Sequence, residues 1–367
     1  MRKCRVGIIG LGKVATFSHL PGYKQTQNIE VVAGAEIRED VLRTVSAEYG
    51  FKGYTDFEEM LKKEKLDIAV ITTGPVFTRK ITEKVAENGA NVLVEKPMAL
   101  TLEDAKAIIK KCEKEGVKLA YGETFRFIPA IKKAKEIIDQ GLLGNLHLLI
   151  EIVVGGQGPE NFQKATIYPP GAPGAGRTGL TDHGIHLVDI FRWFTGSEVD
   201  WVCGRGNRAG SPPHTEWCSM VFKNGVIGQL IINEATFPAT LPNEGIFGLA
   251  YSLRGVSIWN PFPQIVQVHG SKGALRIFAY PNKLYLVNAE TNEQLKQSSG
   301  PYRFEEIQVR SVFHPDHFGL QIDSYANRIL KGEEPEISGL DGLKALQVIL
   351  AAYESFENQK IVKLGTI

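Results

Sequence analysis

The chain has 367 residues, and its 42 basic side chains nearly balance its 41 acidic ones, which leaves a formal charge of +1. This length is typical of two domains rather than one. Such a balance gives no global field to attract nucleic acid or an anionic membrane, so we expect a small-molecule ligand. The sequence has no apolar stretch of about 18 residues, and we therefore expect no membrane span.

The cysteines indicate a reducing compartment. Cys4, Cys112, Cys203 and Cys218 form no Cys-x-x-Cys pair and are few for a secreted disulfide framework. The basic start of the chain is followed by a short apolar run that contains glycines, unlike the core of a signal peptide. We therefore expect reduced thiols and a cytoplasmic location.

Residues 5–117 alternate short apolar runs with amphipathic helical stretches, which is the pattern of β–α–β units in a parallel sheet. The predicted strands are Val6–Ile9, Glu30–Ala35, Ile68–Thr72, Val92–Glu95 and Lys118–Tyr121. Capping sequences at Thr55-Asp56-Phe57-Glu58 and Thr101-Leu102-Glu103-Asp104 mark two helix starts. We assign this α/β domain to residues 1–124.

From residue 125 onward the pattern changes to an α+β domain. Residues 155–179 are too dense in Gly and Pro for regular structure and predict a long loop of the kind that is often functional. The predicted strands are Leu146–Val154, Trp201–Gly204, Trp217–Phe222, Gly225–Ile232, Ile265–His269 and Ala274–Phe278. The predicted helices are Thr181–Phe194, Phe318–Leu330 and Leu340–Asn358. Hairpin-like spacing favours a mostly antiparallel sheet in residues 125–367, whose last helices can pack back on the first domain.

A glycine-rich turn follows the first predicted strand. Gly10, Gly12 and Ala15 form a Gly-x-Gly-x-x-Ala motif. In this motif the first glycine makes a tight turn, the second lets the backbone approach a pyrophosphate, and the alanine allows close helix packing. The phosphates would rest on the helix N-terminus, at Lys13 and Val14.

An acid at the end of the second predicted strand favours NAD. Glu36 stands 36 − 15 = 21 residues beyond Ala15, near the spacing of the group that binds the adenosine ribose 2′-hydroxyl. Arg38 could instead meet the 2′-phosphate of NADP, which leaves NADP open. A plain β–turn–α with a surface glutamate is the non-functional alternative. The order of strand, glycine turn and acid favours a dinucleotide.

The strand Val92–Glu95 ends in a charged pair followed by proline. Ligands gather at the carboxyl ends of parallel strands, so Lys96 is expected to point into a cleft. Pro97 has no N–H and fixes its own φ, so the strand must stop there. That turn would hold Lys96 in one place.

Residues 181–189 hold the densest group of titratable side chains. In a helix, Asp182, His186 and Asp189 share one face. Histidine suits proton transfer near neutral pH, and a neighbouring carboxylate can fix its tautomer. A metal site is the rival interpretation, but no Cys or further His lies nearby at ligand spacing, and we expect no metal. A helix cap at Asp182 on a half-exposed face is the non-functional alternative, which the adjacent Gly/Pro loop disfavours.

The other histidines carry weaker signals. His183 points off the face that holds His186, and we assign it a structural role. Neither His19 nor His147 has a partner in the sequence. We expect core or surface positions for both.

Three motifs in this order resemble the Gfo/Idh/MocA family of nicotinamide-dependent oxidoreductases. They are Gly10-x-Gly12-x-x-Ala15, Glu95-Lys96-Pro97 and Asp182-x-Gly184-x-His186-x-x-Asp189. The likeness spans nearly the whole chain. It implies an N-terminal Rossmann domain with a doubly wound parallel sheet, followed by an α+β domain with an open, mostly antiparallel sheet. That sheet commonly serves for oligomerisation, so the resemblance implies a homodimer or homotetramer.

The resemblance also implies roles for particular residues. Lys96 would lie near the nicotinamide and orient the cofactor and the substrate hydroxyl. His186 would act as general base in oxidation and general acid in reduction, and Asp182 would orient the substrate or the imidazole. Further predicted cofactor contacts are Thr73, Pro75 and Glu95, and further predicted substrate contacts are Glu123 and Arg126.

Two positions depart from the family pattern. Val76 and Arg79 stand where the family usually has the Asn and His of Pro-Asn-x-x-His, so a cofactor contact is lost or replaced. Thr124 stands where an Asn is frequent, which alters that part of the substrate wall. The candidates for determining substrate specificity are Glu123, Arg126 and the loop at residues 164–177.

These features together predict an NAD(P)-dependent dehydrogenase that acts on a secondary hydroxyl of a sugar, sugar derivative or cyclitol. Two alternatives stay open. One is a glycosidase that retains its NAD and oxidises and re-reduces the sugar within each turnover. The other is a non-catalytic dinucleotide-binding sensor, against which the presence of Lys96, Asp182 and His186 argues.

Overall fold

The structure is a computed structural model that describes residues 2–154, 179–207, 215–233, 249–253, 256–260, 265–279, 282–289, 304–310 and 315–367. The chain forms two compact units. One comprises residues 1–124 and 314–346, and the other comprises residues 125–313 and 347–367. The predicted specificity loop at residues 164–177 lies outside the described residues.

The first unit is built on a six-stranded parallel sheet. Its strands are β1 (Cys4–Ile9), β2 (Ile29–Ala35), β3 (Lys52–Tyr54), β4 (Ile68–Ile71), β5 (Asn91–Glu95) and β6 (Leu119–Gly122). Their order is β3-β2-β1-β4-β5-β6, and all pairs are parallel. This is the strand order of a doubly wound dinucleotide-binding domain, so the predicted Rossmann fold is confirmed. The edge strand β3 was not predicted.

The described helices agree with most of the sequence signals. They are α1 (Leu20–Tyr23), α2 (Glu39–Tyr49), α3 (Phe57–Lys63), α4 (Pro75–Glu87), α5 (Leu102–Glu115), α6 (Pro129–Asp139), α7 (Ile185–Thr195), α8 (Asp316–Lys331) and α9 (Gly339–Asn358). Asp56 caps α3 by accepting the N–H of Glu58, and Thr101 caps α5 by accepting the N–H of Asp104. Both predicted capping sequences are therefore confirmed. None of the described helices is long and apolar enough to cross a membrane.

The C-terminal helix α8 belongs to the first unit. Its Ile322 and Tyr325 lie in a buried cluster with apolar side chains of β1. The Tyr325 hydroxyl lies 3.0 Å from the carbonyl oxygen of Val92 and 2.8 Å from that of Lys118. It can therefore donate to either carbonyl at the start of β5 and β6.

The second unit is built on a mostly antiparallel sheet. The described strands after the first unit are β7 (Leu146–Val154), β8 (Val199–Gly206), β9 (Thr215–Phe222), β10 (Ile227–Asn233), β11 (Leu249–Leu253), β12 (Val256–Asn260), β13 (Ile265–Gly270), β14 (Gly273–Phe278), β15 (Lys283–Asn288), β16 (Glu305–Ile307) and β17 (Val362–Lys363). Among the described residues, nine of these strands form one sheet in the order β16-β15-β14-β13-β7-β10-β9-β8-β17. Only β7 and β10 pair in parallel within it, and β11 pairs with β12 separately.

The two faces of the large sheet differ in burial. Successive side chains alternate between the faces, as in any strand. Inward residues of β7 and β10 such as Leu149 and Leu230 are buried, and α6 and α7 lie in contact with the sheet. The outward side chains are half-buried or exposed, and Ile152 is 47% exposed although it is apolar. The sheet therefore has one covered face and one open face.

Candidate active site

The glycine-rich turn closes the carboxyl end of β1. Gly10 has a φ of +93°, a conformation that favours glycine, and a Cβ there would lie 2.8 Å from Cγ2 of Thr73. A Cβ placed on Gly12 would meet nothing within 4 Å. The chain then enters a helix at residue 13, whose π-helical turn covers Ala15–His19. The turn therefore leaves room for a ligand group in front of the helix N-terminus.

A cavity of about 460 Å³ lies at this edge of the first sheet. The predicted cofactor contacts that line it are Gly10, Gly12, Glu36, Arg38 and Thr73. Among the described residues, the buried Oγ1 of Thr73 has no hydrogen-bond partner. The cavity is lined by Gly12, which has free space around its Cα, and by Thr73, whose hydroxyl can bind a ligand, and the N-terminus of a helix follows Gly12. These features fit the phosphates and sugars of a dinucleotide.

Side chains that were not predicted also line this cavity. They include Ile37, Phe57, Phe77 and Lys80. Ile37 is 84% exposed and Phe77 is 60% exposed, which is unusual for large apolar side chains. The sequence indicated two of them only by their position next to predicted site residues. Ile37 follows Glu36, and Phe77 lies in the segment that departs from the family pattern.

Glu36 and Arg38 form an ion pair at the rim of the cavity. The Arg38 Nε donates to Oε1 of Glu36 at 3.0 Å, and Nη2 donates to Oε2 at 3.3 Å. The backbone N–H of Leu11 also donates to Oε2, at 2.9 Å. Burial raises the pKa of this carboxyl, but the hydrogen bonds from Arg38 and Leu11 outweigh that effect and lower the pKa below its ordinary value. Glu36 is therefore ionised near neutral pH.

The other five predicted cofactor contacts, Lys13, Val14, Pro75, Glu95 and Lys96, lie outside the set that lines the cavity. Lys13 and Val14 form the first helical turn after the glycines. Pro75 begins α4 and is buried. Their cofactor contacts stay predictions.

Lys96 follows the last residue of β5, as predicted. Its N–H donates to Oε2 of Glu95 at 3.0 Å, and Oε1 of Glu95 lies 2.7 Å from Nε2 of His19. The peptide bond between Lys96 and Pro97 is cis. Glu95 is buried and contacts protein groups through both oxygens, so its predicted contact with a cofactor stays a prediction.

The predicted helix that carries the second group of titratable residues is present. A π-helical turn, Leu180–Gly184, continues directly into α7. Asp182 is half-buried and precedes the buried His186 by four residues. The imidazole of His186 stacks on Phe125, with ring centroids 4.2 Å apart and an interplanar angle of 3°. Because π-helical turns are frequent at functional sites, this turn strengthens the case for one here.

Asp189, which the sequence placed on the same helix face as His186, pairs with Arg126. Its carboxylate is fully buried and accepts two hydrogen bonds of 2.6 Å, from Nε and Nη2 of Arg126. The guanidinium also lies 5.2 Å from the ring centroid of Trp193. Arg126, predicted as a substrate contact, is thus part of a buried ion pair in the second unit, and its contact with a substrate stays a prediction.

Buried acids of the second sheet hold the start of this helix. His183 Nε2 lies 2.9 Å from Oε2 of Glu151 on β7. Glu216 on β9 accepts the N–H of Leu180 at 2.7 Å, and the Tyr353 hydroxyl lies 3.0 Å from its other oxygen. The sheet therefore fixes the helix through its inward-facing carboxylates. Within the described residues, no group of three His, Cys, Asp or Glu side chains could hold a metal ion.

The 3₁₀ turn Thr124–Phe127 connects the two units. Glu123, directly before it, has no exposed surface, and its predicted substrate contact stays a prediction. Phe125 within the turn was missed as a site residue. Nothing local in the sequence marks an aromatic ring whose partner, His186, lies far along the chain.

Arg126→Met is expected to lower the free energy of unfolding by about 3 kcal/mol, because it removes both short hydrogen bonds to the buried carboxylate of Asp189 and leaves it only the more distant Arg192, whose Nη1 lies 3.7 Å away. Urea denaturation of the variant and the wild type measures this loss. Adding Asp189→Leu removes the buried charge and should recover much of the stability. An increase in substrate KM with unchanged unfolding would instead assign Arg126 to substrate binding.

Two family models match the chain. A model described as an oxidoreductase family with an NAD-binding Rossmann fold matches residues 4–123. A model of the GFO/IDH/MocA C-terminal domain matches residues 131–276. Together they cover most of both units.

Similar proteins match over nearly their whole length. The chain is 26% identical to the D-apiose dehydrogenase of Paraburkholderia graminis, over 100% of this chain and 91% of that protein. It is 26% identical to the myo-inositol 2-dehydrogenase of Thermotoga maritima, over 99% of each. The solved structure of scyllo-inositol dehydrogenase from Lactobacillus casei, with bound NAD(H) and scyllo-inositol, has the same fold, with a TM-score of 0.75 and 24% identity over 99% of both chains. The chain therefore belongs to the Gfo/Idh/MocA family and is an NAD-binding dehydrogenase.

Proposed function

We propose that this dehydrogenase transfers a hydride between NAD and a secondary hydroxyl, or the corresponding ketone, of a sugar, sugar derivative or cyclitol. The observation that carries the proposal is the position of Asp182 four residues before His186 on one continuous helical segment, with the imidazole held flat against Phe125. Relatives named for D-apiose and myo-inositol support the polyol class of substrate.

The cavity of the first unit is our proposed cofactor site. The backbone N–H groups of Lys13 and Val14 would hold the pyrophosphate above Gly12. The Thr73 hydroxyl supplies a further hydrogen-bonding group. Glu36 would accept hydrogen bonds from the adenosine ribose. When bound there, NAD supplies the hydride acceptor.

Three side chains carry the proposed chemistry. His186 accepts the proton of the substrate hydroxyl in oxidation and returns it in reduction, a transfer that imidazole performs near neutral pH. Asp182 orients that imidazole or the substrate. The Lys96 ammonium stabilises the negative charge that develops on the reacting oxygen. The ring of Phe125 fixes the plane of the imidazole.

Formation of NADH from NAD, with a panel of aldoses, sugar acids, amino sugars and inositols, tests this proposal. Lys96→Met and His186→Asn should each lower kcat by about 100-fold or more, because each removes a group that acts on the reacting oxygen. The affinity for NADH, measured by fluorescence titration, should change little. Lys62→Met on the exposed face of α3 and His147→Asn on β7 are matched controls and should behave as the wild type.

The same assay separates the proposal from its rivals. Wild-type turnover in either active-site variant would contradict the assigned role. Cleavage of a glycoside without net NADH formation would replace the proposal with the NAD-retaining glycosidase. Tight NADH binding with no turnover of any substrate would favour the sensor.

Glu36→Ala is expected to weaken NAD binding by about 10- to 100-fold, because hydrogen bonds to a charged carboxylate are among the stronger ones. It also releases Arg38 to meet a 2′-phosphate, so NADP should lose less affinity than NAD. The matched variant Arg38→Ala should keep NAD and weaken NADP. Isothermal titration with both dinucleotides measures these changes.

Because the pKa of Glu36 is lowered, its charge persists below the usual range of glutamate. NAD affinity should therefore stay level from neutral pH down to about pH 5 and fall only below it. An unchanged NAD affinity in Glu36→Ala would remove Glu36 from the ribose site.

The open face of the second sheet is our proposed contact with a second copy of the chain. Across neighbouring strands its outward residues form rows, and one row pairs Ile152 with Ile231 and Ile231 with Trp217. The next row contains Ile150 and Gln229. Rows of half-exposed apolar side chains on a flat sheet are typical of a buried interface. A homodimer, or a homotetramer built from it, would cover this face.

Ile152→Glu should dissociate the assembly, because it places a charge in the centre of the proposed interface. Light scattering coupled to size exclusion measures the mass of the wild type and the variant. Leu330→Glu on α8 is the matched control, since it adds the same charge at an exposed apolar position of the other unit. A wild type that is monomeric at micromolar concentration would contradict the proposal.

A further inference from the structure

His19 is a buried histidine to which the proposed mechanism gives no role. It is the last residue of the π-helical turn that follows the glycines, and none of its surface is exposed. Its Nδ1 lies 2.7 Å from the Tyr23 hydroxyl, and its Nε2 lies 2.7 Å from Oε1 of Glu95. The edge of Phe318 from α8 packs on its ring, with centroids 4.8 Å apart. Three residues of the first unit, Tyr23, Glu95 and Phe318, therefore fix the position of this imidazole.

Glu95 connects this imidazole to Lys96. The pairing of β5 with β6 ends where Glu95 faces Gly122. The N–H of Lys96 lies beyond that last pair and donates instead to Oε2 of Glu95, at 3.0 Å. A side chain, rather than a neighbouring strand, therefore holds the backbone of Lys96 in place.

Gly122 also packs closely against Glu95. A Cβ on Gly122 would lie 2.8 Å from the carbonyl oxygen of Val94 and 3.0 Å from Cα of Glu95. It would also lie 3.4 Å from Oε1 of Glu95. The position of the Glu95 carboxylate is therefore restricted by both Gly122 and His19.

The hydrogen-bonding roles in this group are consistent with one another. An ionised carboxylate can only accept, so Nε2 of His19 must carry the hydrogen that faces Glu95. In a neutral imidazole Nδ1 then accepts, and Tyr23 can donate to it. Burial, and secondarily the charge of Glu95, raises the pKa of Tyr23 well above its ordinary value, so its hydroxyl keeps the proton that it donates. Every one of these buried polar groups has a partner.

We propose that His19 is a positioning residue for Lys96: it holds the carboxylate of Glu95, and Glu95 holds the backbone of Lys96. This inference rests on the proposed role of Lys96 in the reaction. In this role His19 acts on Lys96 through Glu95 rather than on the substrate itself. It lies four residues beyond Ala15 of the glycine motif, so the helix that follows the cavity-lining glycines Gly10 and Gly12 also carries the residue that holds Glu95.

A merely structural histidine would make some of the same contacts, and the variants must separate the two roles. His19→Ala removes the donor to Glu95. His19→Gln keeps a donor, because the glutamine amide nitrogen can occupy the place of Nε2. Tyr23→Phe keeps the imidazole and removes only its second partner. Tyr325→Phe is the matched control, since it removes a buried hydroxyl from the other end of β5 without touching Glu95.

We expect His19→Ala to lower kcat by about 10- to 100-fold, the usual effect of misplacing a catalytic group slightly. KM and the dissociation constant for NADH should change little. His19→Gln should recover most of the activity, Tyr23→Phe should show a smaller loss than His19→Ala, and Tyr325→Phe should lose stability but not kcat. Lys96→Met is measured in the same assay to test the role of Lys96 on which this inference rests. Wild-type activity in that variant would refute the proposed function rather than the role of His19.

A second measurement does not depend on turnover. In protein labelled with ¹⁵N-lysine, the backbone amide signal of Lys96 is identified by its loss in Lys96→Arg. That signal should move in His19→Ala and return close to its original position in His19→Gln. Wild-type kcat and an unmoved Lys96 signal in His19→Ala would overturn the proposal. Equal losses of kcat in His19→Ala, His19→Gln and Tyr325→Phe would also overturn it, since they would indicate general destabilisation.

Discussion

The first unit depends on the backbone hydrogen bonds of its buried parallel strands, because a covered strand has no water to satisfy its N–H and C=O groups. The N–H groups just beyond the strand ends also need hydrogen-bond partners. The N–H of Gly10, one residue beyond β1, donates to the carbonyl of Ala35 at 2.8 Å. The N–H of Lys96, one residue beyond β5, donates to the carboxylate of Glu95. Each strand thus ends at a defined point, and the glycine turn and the lysine stand at two such points on one edge of the sheet.

The second unit must place charged side chains in an apolar interior. Glu216 and Asp189 are both buried, and each meets a donor on the helix or the turn beside it. A buried charge without a partner costs far more than a paired one, so these contacts fix where the helix begins and which way it faces. The ion pair of Asp189 with Arg126 also ties α7 to the 3₁₀ turn that carries Phe125. The ring that stacks on His186 is therefore held by a neighbouring charge pair.

Local patterns predicted the parts of the structure that depend on neighbours in sequence. Five strands of the first sheet were located within two residues of their observed ends, because burial of an apolar run acts over a few residues. β3 was missed, since Lys52–Tyr54 is short and contains a glycine. The antiparallel character of the second sheet was predicted, but the parallel pair of β7 and β10 was not. Strand direction there depends on connections between distant segments, which no local window contains.

The sequence did not predict which groups the charged side chains contact, although the contacting group determines the role of each charge. By position, Glu36 and Glu95 are equivalent, since each is an acid at or just beyond the end of a parallel strand. Glu36 meets Arg38 two residues on and faces a cavity. Glu95 meets His19, which is 76 positions away, and faces the interior. A charged side chain in a sequence indicates only that a partner is required, and the fold determines whether that partner is a ligand or the protein. The carboxylate of Glu95 contacts the imidazole of His19 and the N–H of Lys96, so its chemical effect passes to the residue that it holds, which here is Lys96.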